Sequence, residues 1–119
     1  MGRISFAATL MILAGPASAG FYDGNILDRV CSEATGSSGS VGGRDADTNL
    51  GICLGFIIGV TDTLLLVERD EHTFCLPEAI KLGQAVDVVK KHLRDHPEER
   101  HNTAALNAAM ALNAAWPCQ

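Results

Sequence analysis

Four cysteines follow a segment with the pattern of an export leader, and this combination most constrains the fold. Residues 1–19 begin with a basic side chain, Arg3, continue in an apolar run from Ile4 to Ala14, and end in small residues at 17–19. These are the features of a cleavable signal peptide. The sequence therefore predicts export to the oxidising periplasm, where an even set of cysteines forms disulfides. The four are Cys31, Cys53, Cys75 and Cys118.

Loss of the leader leaves residues 20–119, which suffice for one small domain. The leader holds one charged side chain, Arg3, so the net charge of −5 for the full sequence becomes −6. This balance disfavours nucleic acid as a partner, because phosphate binding depends on Lys and Arg. It also disfavours docking to an anionic membrane after cleavage, and it tolerates a basic protein partner.

Apolar residues recur at helical spacing in four segments, and no alternating run is bounded by hairpin turns. The sequence predicts an all-α, disulfide-stapled bundle of about four helices. A Gly/Ser-rich loop at 36–43 and a charged connector at 68–72 separate them. The predicted helices run from Asp23 to Ala34, from Asp47 or Thr48 to about Val67, from about Leu82 to Arg94, and from Pro97 to about Ala115.

Each amphipathic helix has a predicted core stripe. In the first, it is Ile26, Leu27, Val30 and Cys31; in the third, Leu82, Val86, Val89 and Leu93; in the fourth, Ala105, Ala109, Leu112 and Trp116. Asn102, Asn107 and Asn113 are expected on the polar back of the fourth helix.

The second helix is the most apolar, since Asp62 is the single charged residue between Leu50 and Val67. A membrane span is one interpretation. Its marginal length, the aspartate and the cysteine within it favour the central, almost fully buried helix of a soluble bundle. Glycines recur every four residues, at 51, 55 and 59, which predicts a face that another helix approaches closely.

Four cysteines permit three pairings. If the helices alternate up and down, Cys31 and Cys53 lie at one pole of the bundle and Cys75 and Cys118 at the other. Bridged Cα atoms must lie within about 7 Å of each other. This topology therefore favours Cys31–Cys53 and Cys75–Cys118.

Titratable side chains gather at the turn between the third and fourth helices: His92, Asp95, His96 and His101. His92 and His96 have the spacing of two metal ligands on one helical face, but Pro97 ends that face. The sequence therefore favours solvated histidines, with no metal and no cofactor. Glu98 and Glu99 are typical helix-start charges, and no nucleophile elbow or phosphate loop is present. No enzyme is predicted.

Several blocks resemble the Rap/Tai-type immunity proteins associated with type VI secretion amidase effectors. The first runs from Cys53 to Asp62, and the second from Cys75 to Val89. They are followed by Leu93, the segment 96–101 and the ending Ala115-Trp-Pro-Cys118. Phe56 and His92 stand where tyrosine is common in the family, and Lys81 where threonine is usual.

The resemblance implies a periplasmic, all-helical, often dimeric protein that binds and inhibits a peptidoglycan amidase. On physical grounds, the charged connector is the expected contact, because it is the most charged loop and lies beside Cys75. It consists of Glu68, Arg69, Asp70, Glu71 and His72. Two alternatives remain: a small periplasmic stress chaperone and an inhibitor of another cell-wall hydrolase.

Overall fold

The computed structural model describes residues 20–34, 44–67 and 73–119. The predicted leader, the Gly/Ser loop and the charged connector lie outside these ranges. Within them the protein is all-α, with two isolated β-bridges and no strands. The elements are α1 (Gly24–Ala34), α2 (Arg44–Val67), α3 (Leu82–Asp95), a short 3₁₀ turn (Pro97–Glu99) and α4 (Ala104–Ala115).

The first helix and the core around it follow the apolar periodicity. Asp23 caps α1, because its carboxylate accepts a 2.8 Å hydrogen bond from the backbone N–H of Ile26. Leu27, Val30 and Cys31 are buried, as their spacing predicted. They pack into one core with buried residues from every other helix, chiefly Cys53, Ile57, Leu64, Val86, Val89, Leu93, Ala108 and Leu112.

Both predicted disulfides are confirmed. Cys31 in α1 is bonded to Cys53 in α2, with Cα atoms 5.0 Å apart. Cys75 is bonded to Cys118 just beyond α4, with Cα atoms 4.8 Å apart. The second bond belongs to a short pairing of chain segments, in which the Cys75 backbone N–H donates to the Trp116 carbonyl at 3.0 Å.

The prediction that α2 is almost fully buried is wrong. Its inner face packs on the other helices, but only 22% of an 18-residue apolar window within Ala46–Val67 is buried. Among the described residues it is the one helix long and apolar enough to cross a membrane, with a mean hydropathy of 2.2. The predicted packing of the glycine face is also wrong: a Cβ placed at Gly51, Gly55 or Gly59 would meet nothing within 4 Å. Glycines spaced four residues apart lie on one face of a helix, but the spacing does not determine whether that face contacts another helix or solvent.

The predicted start of the fourth helix is also wrong. Pro97 begins only a 3₁₀ turn, and α4 starts seven positions later. Thr103 caps it, because its hydroxyl accepts a hydrogen bond from the Leu106 backbone N–H. Of the predicted core stripe, Leu112 is buried, Ala109 and Trp116 are half-buried against the core, and Ala105 is exposed. The residues of α4 that are buried are Ala104, Asn107, Ala108, Ala111 and Leu112.

Asn107 lies in the core and not on the polar back of α4. Its side chain is 1% exposed, and its amide nitrogen lies 3.1–3.3 Å from the backbone carbonyls of Glu99, Asn102 and Thr103. The buried side-chain amide of Asn107 thus holds the turn that leads into α4. Gly24, at the start of α1, lies directly against the same turn, and its N–H donates to the Asn102 carbonyl at 3.0 Å.

Candidate functional site

An open apolar groove runs between α2 and α4. Its volume is about 540 Å³, and the exposed glycines of α2 form part of its floor. The groove exists because Gly55 and Gly59 carry no side chain and Ala105 and Ala109 on α4 carry only methyl groups. Its complete lining is Gly55, Phe56, Gly59, Val60, Thr63, Leu64, Ala105 and Ala109.

The groove continues past Phe56 toward the start of the described chain. There a second hollow is bounded by Gly20, Phe21, Tyr22 and Thr103, and it shares Phe56 and Ala105 with the first. Tyr22 stacks on Phe56, with ring centroids 6.2 Å apart and planes 18° from parallel. Phe21 is fully exposed. The result is one continuous apolar channel with aromatic rings at one end.

Further apolar side chains are exposed elsewhere on α2 and α4. On α4, Leu106 and Met110 are one turn apart and reach solvent, and at the end of α2 Leu66 and Val67 are 68% and 61% exposed. Adjoining exposed apolar residues of this kind mark interaction surfaces in soluble proteins. Sequence reasoning missed this surface, because the glycine spacing was interpreted as a buried contact.

The predicted contact residues Glu68, Arg69, Asp70, Glu71 and His72 lie outside the described residues. The chain on either side of them is described. Val67 ends α2, and on the return side Phe74 is buried and pairs with Pro117 beside the Cys75–Cys118 bond. The connector therefore leaves from the exposed end of α2 and returns to a cross-linked segment.

A second cluster lies at the corner between α3 and the 3₁₀ turn. The His92 and His96 rings, on successive turns, have centroids 4.7 Å apart. The His92 Nε2 atom lies 3.5 Å from the Glu99 Oε2 atom, and the His96 Nδ1 atom lies 3.2 Å from the Glu98 Oε1 atom. The 3₁₀ turn brings both glutamates back over the histidines. His101 is separate, with its ring hydrogen-bonded to the Glu98 carbonyl.

Charged neighbours organise this corner. The pKa of the Glu98 carboxyl is lowered by a hydrogen bond from its own backbone N–H and then by the His96 ring, so Glu98 is ionised at neutral pH. Arg100 fixes the turn to two helices: its guanidinium hydrogen-bonds the Leu93 carbonyl of α3 and lies 3.3 Å from the Asp28 carboxylate of α1. Arg100 therefore holds the corner against α1 and α3, while Glu98 is exposed and the Glu99 Oε2 atom is buried beside His92.

The groove and the corner each present groups that can bind a partner or an ion. All four cysteines are in disulfides, so none supplies a thiolate nucleophile. What remains is an apolar channel suited to a protein surface, and an imidazole–carboxylate corner suited to a cation.

Comparison with known proteins identifies a family. A family model described as Rap1a immunity proteins matches residues 23–118. No curated protein matches the chain. The matched range takes in all four helices and both disulfides.

Proposed function

Because the chain belongs to the Rap1a immunity protein family, we propose that it is a periplasmic immunity protein that binds and inhibits a peptidoglycan amidase delivered by type VI secretion. The family match over residues 23–118 carries the proposal. The leader pattern in residues 1–19 supports export to the periplasm. Two disulfides fit the same compartment, because they persist under oxidising conditions.

The charged connector is the proposed contact with the enzyme. Glu68, Asp70 and Glu71 place three carboxylates within four positions. Such a segment is attracted to a basic rim around an enzyme cleft, and that attraction weakens as salt screens the charges. A loop whose ends are held by α2 and by the Cys75–Cys118 bond would lose less conformational entropy on docking than a free segment.

The test of the function is an inhibition assay. The protein is mixed with each amidase encoded near its gene, and peptidoglycan cleavage is followed. We expect stoichiometric loss of activity for the cognate enzyme. Full residual activity of every such amidase at a several-fold molar excess would contradict the proposal. It would favour the stress-chaperone alternative, for which the exposed apolar face of α2 is the supporting observation.

The role of the connector is tested by matched charge reversals. In the double variant Glu68→Lys/Glu71→Lys, we expect the association rate with the amidase at low salt to fall by about 10-fold or more, because steering is lost. The control, Glu78→Lys/Asp87→Lys, changes the net charge equally at two exposed positions. Equal effects of both variants would assign the steering to overall charge and remove the connector as the contact.

For the apolar groove we propose a second copy of the chain as the occupant, giving a homodimer. α2 has 24 residues and is therefore about 36 Å long. A standard interface buries ~800 Å² on each partner, and α2 with α4 beside it offers an extended open face for such a contact. Two mature chains of net charge −6 repel each other, so they associate best through a face of low charge. Between Leu50 and Val67 the one charged residue is Asp62.

Dimer formation is tested with a pair of glycine substitutions. Gly59→Glu fills open space in the groove and introduces a charge there, so we expect a shift from dimer to monomer in light scattering coupled to size exclusion. Gly83→Glu is the control, because a Cβ at Gly83 on α3 also meets nothing within 4 Å and lies outside the groove. A monomeric wild-type protein at 100 µM, or a dimeric Gly59→Glu variant, would contradict the proposed interface.

A further inference from the structure

The corner between α3 and the 3₁₀ turn has the composition and spacing of a transition-metal site. Three residues, His96, Glu98 and Glu99, each place one ligand atom within 4.8 Å of the other two. His92 adds a second imidazole beside Glu99. Imidazole nitrogens and carboxylate oxygens are ligands of Zn²⁺ in proteins, and two carboxylates balance the charge of a divalent ion.

Two contacts within the cluster have the spacing expected between ligands of one ion, and the ligand atoms of His96, Glu98 and Glu99 all lie within 4.8 Å of one another. Zn–N and Zn–O bonds of about 2.0–2.2 Å in a tetrahedral site place neighbouring ligand atoms about 3.3–3.5 Å apart. The two observed pairs, at 3.2 Å and 3.5 Å, are close to this spacing. His96 and Glu98 are both well exposed, so their side chains can move the remaining distance without disturbing the core.

Two buried atoms in the cluster lack partners. The His92 Nε2 and Glu99 Oε2 atoms are both inaccessible to solvent, and neither has a hydrogen-bond partner among the described residues. They lie 3.5 Å apart, and the His92 side chain is only 13% exposed. A buried polar atom without a hydrogen-bond partner destabilises the folded state. A cation coordinated by both atoms would give each of them a partner.

We propose that His92, His96, Glu98 and Glu99 bind one divalent transition-metal ion of the Zn²⁺ class. His92 and His96 supply nitrogens from successive turns of α3, and Glu98 and Glu99 supply oxygens from the 3₁₀ turn. The ion would then cross-link α3 to the turn that leads into α4. Sequence spacing alone favoured solvated histidines, because it did not show that the 3₁₀ turn folds both glutamates back over α3.

The proposal is tested by titrating ZnCl₂ into untagged, EDTA-treated protein in a non-chelating buffer, with calorimetric detection. We expect one ion per chain with a dissociation constant of 10 µM or tighter, and a rise in melting temperature on adding Zn²⁺, since a ligand of the native state stabilises it. Co²⁺ in its place should give the intense visible absorption of a tetrahedral nitrogen–oxygen site.

Matched variants assign the ligands. Glu98→Gln and His96→Gln should each weaken Zn²⁺ binding by at least 10-fold, and both positions are exposed enough for the fold to survive. His101→Gln is the control, because His101 is a nearby exposed histidine outside the cluster. Absence of saturable Zn²⁺ binding in the wild-type protein would overturn the proposal. Equal weakening by the control and the Glu98→Gln variant would overturn it as well.

Discussion

Replacing Cys75 and Cys118 together by serine is expected to lower the free energy of unfolding by roughly 2–5 kcal/mol, the usual loss when a native disulfide is removed from a small secreted domain. The bond closes a loop with a sequence separation of 43 residues. Cys75 is exposed and Cys118 half-buried, so serine fits at both positions and the loss reports the cross-link itself.

Urea denaturation monitored by circular dichroism measures this effect. The m-value should rise along with the loss of stability, because a chain without the cross-link exposes more surface when unfolded. The wild-type protein unfolded in reductant is the control for the absence of both bonds, and its midpoint should lie below that of the double variant. An unchanged midpoint in the double variant would contradict the prediction.

The substitution Gly24→Ala is expected to destabilise the protein by about 1–3 kcal/mol, the usual range for overpacking. The new Cβ would lie 2.9 Å from both the Cα and the carbonyl oxygen of Arg100 and 2.8 Å from the Asn107 amide nitrogen. The two Arg100 atoms belong to the backbone and cannot rotate away as a side chain can, so α1 must move away from the turn. That movement also disturbs the amide that binds three carbonyls of the turn.

The matched control for Gly24→Ala is Gly51→Ala. Gly51 is also helical, but a Cβ there meets nothing within 4 Å. Alanine has a helix propensity better than that of glycine by about 1 kcal/mol, so this variant should be more stable than the wild type. Thermal unfolding of both variants gives the comparison. If Gly24→Ala also melted at a higher temperature, the close contact between α1 and the turn would be refuted.

Sequence patterns predicted the parts of the fold that depend on local periodicity and chain topology. Leu27, Val30 and Cys31 recur at helical spacing and are buried together. The pairing of the cysteines followed from the alternation of the helices alone. Sequence patterns gave wrong predictions where the structure depends on which other segment a helix contacts. Pro97 is compatible with the first turn of any helix, and only the cap at Thr103 decides where α4 begins.

The candidate sites were predicted in part. The sequence predicted that His92 and His96 lie close together, since they are one turn apart. It did not predict how close they lie to Glu99, because that distance depends on the path of the chain after Pro97. Asn107 was misplaced because its own sequence neighbourhood does not reveal the carbonyls that it binds. The groove could not be predicted, because glycine spacing is the same on a buried face and on an open one.

The order of the disulfides along the chain has a consequence for how the protein matures. The first two cysteines are bonded to each other and so are the last two, so the two loops are sequential and neither encloses the other. When a chain emerges with its N-terminus first, Cys31 meets Cys53 before Cys75 has appeared. If the chain is exported as proposed, oxidation in order of emergence would yield both native bonds directly. Maturation would then require an oxidant, and exchange of wrong pairs by a disulfide isomerase would not be needed.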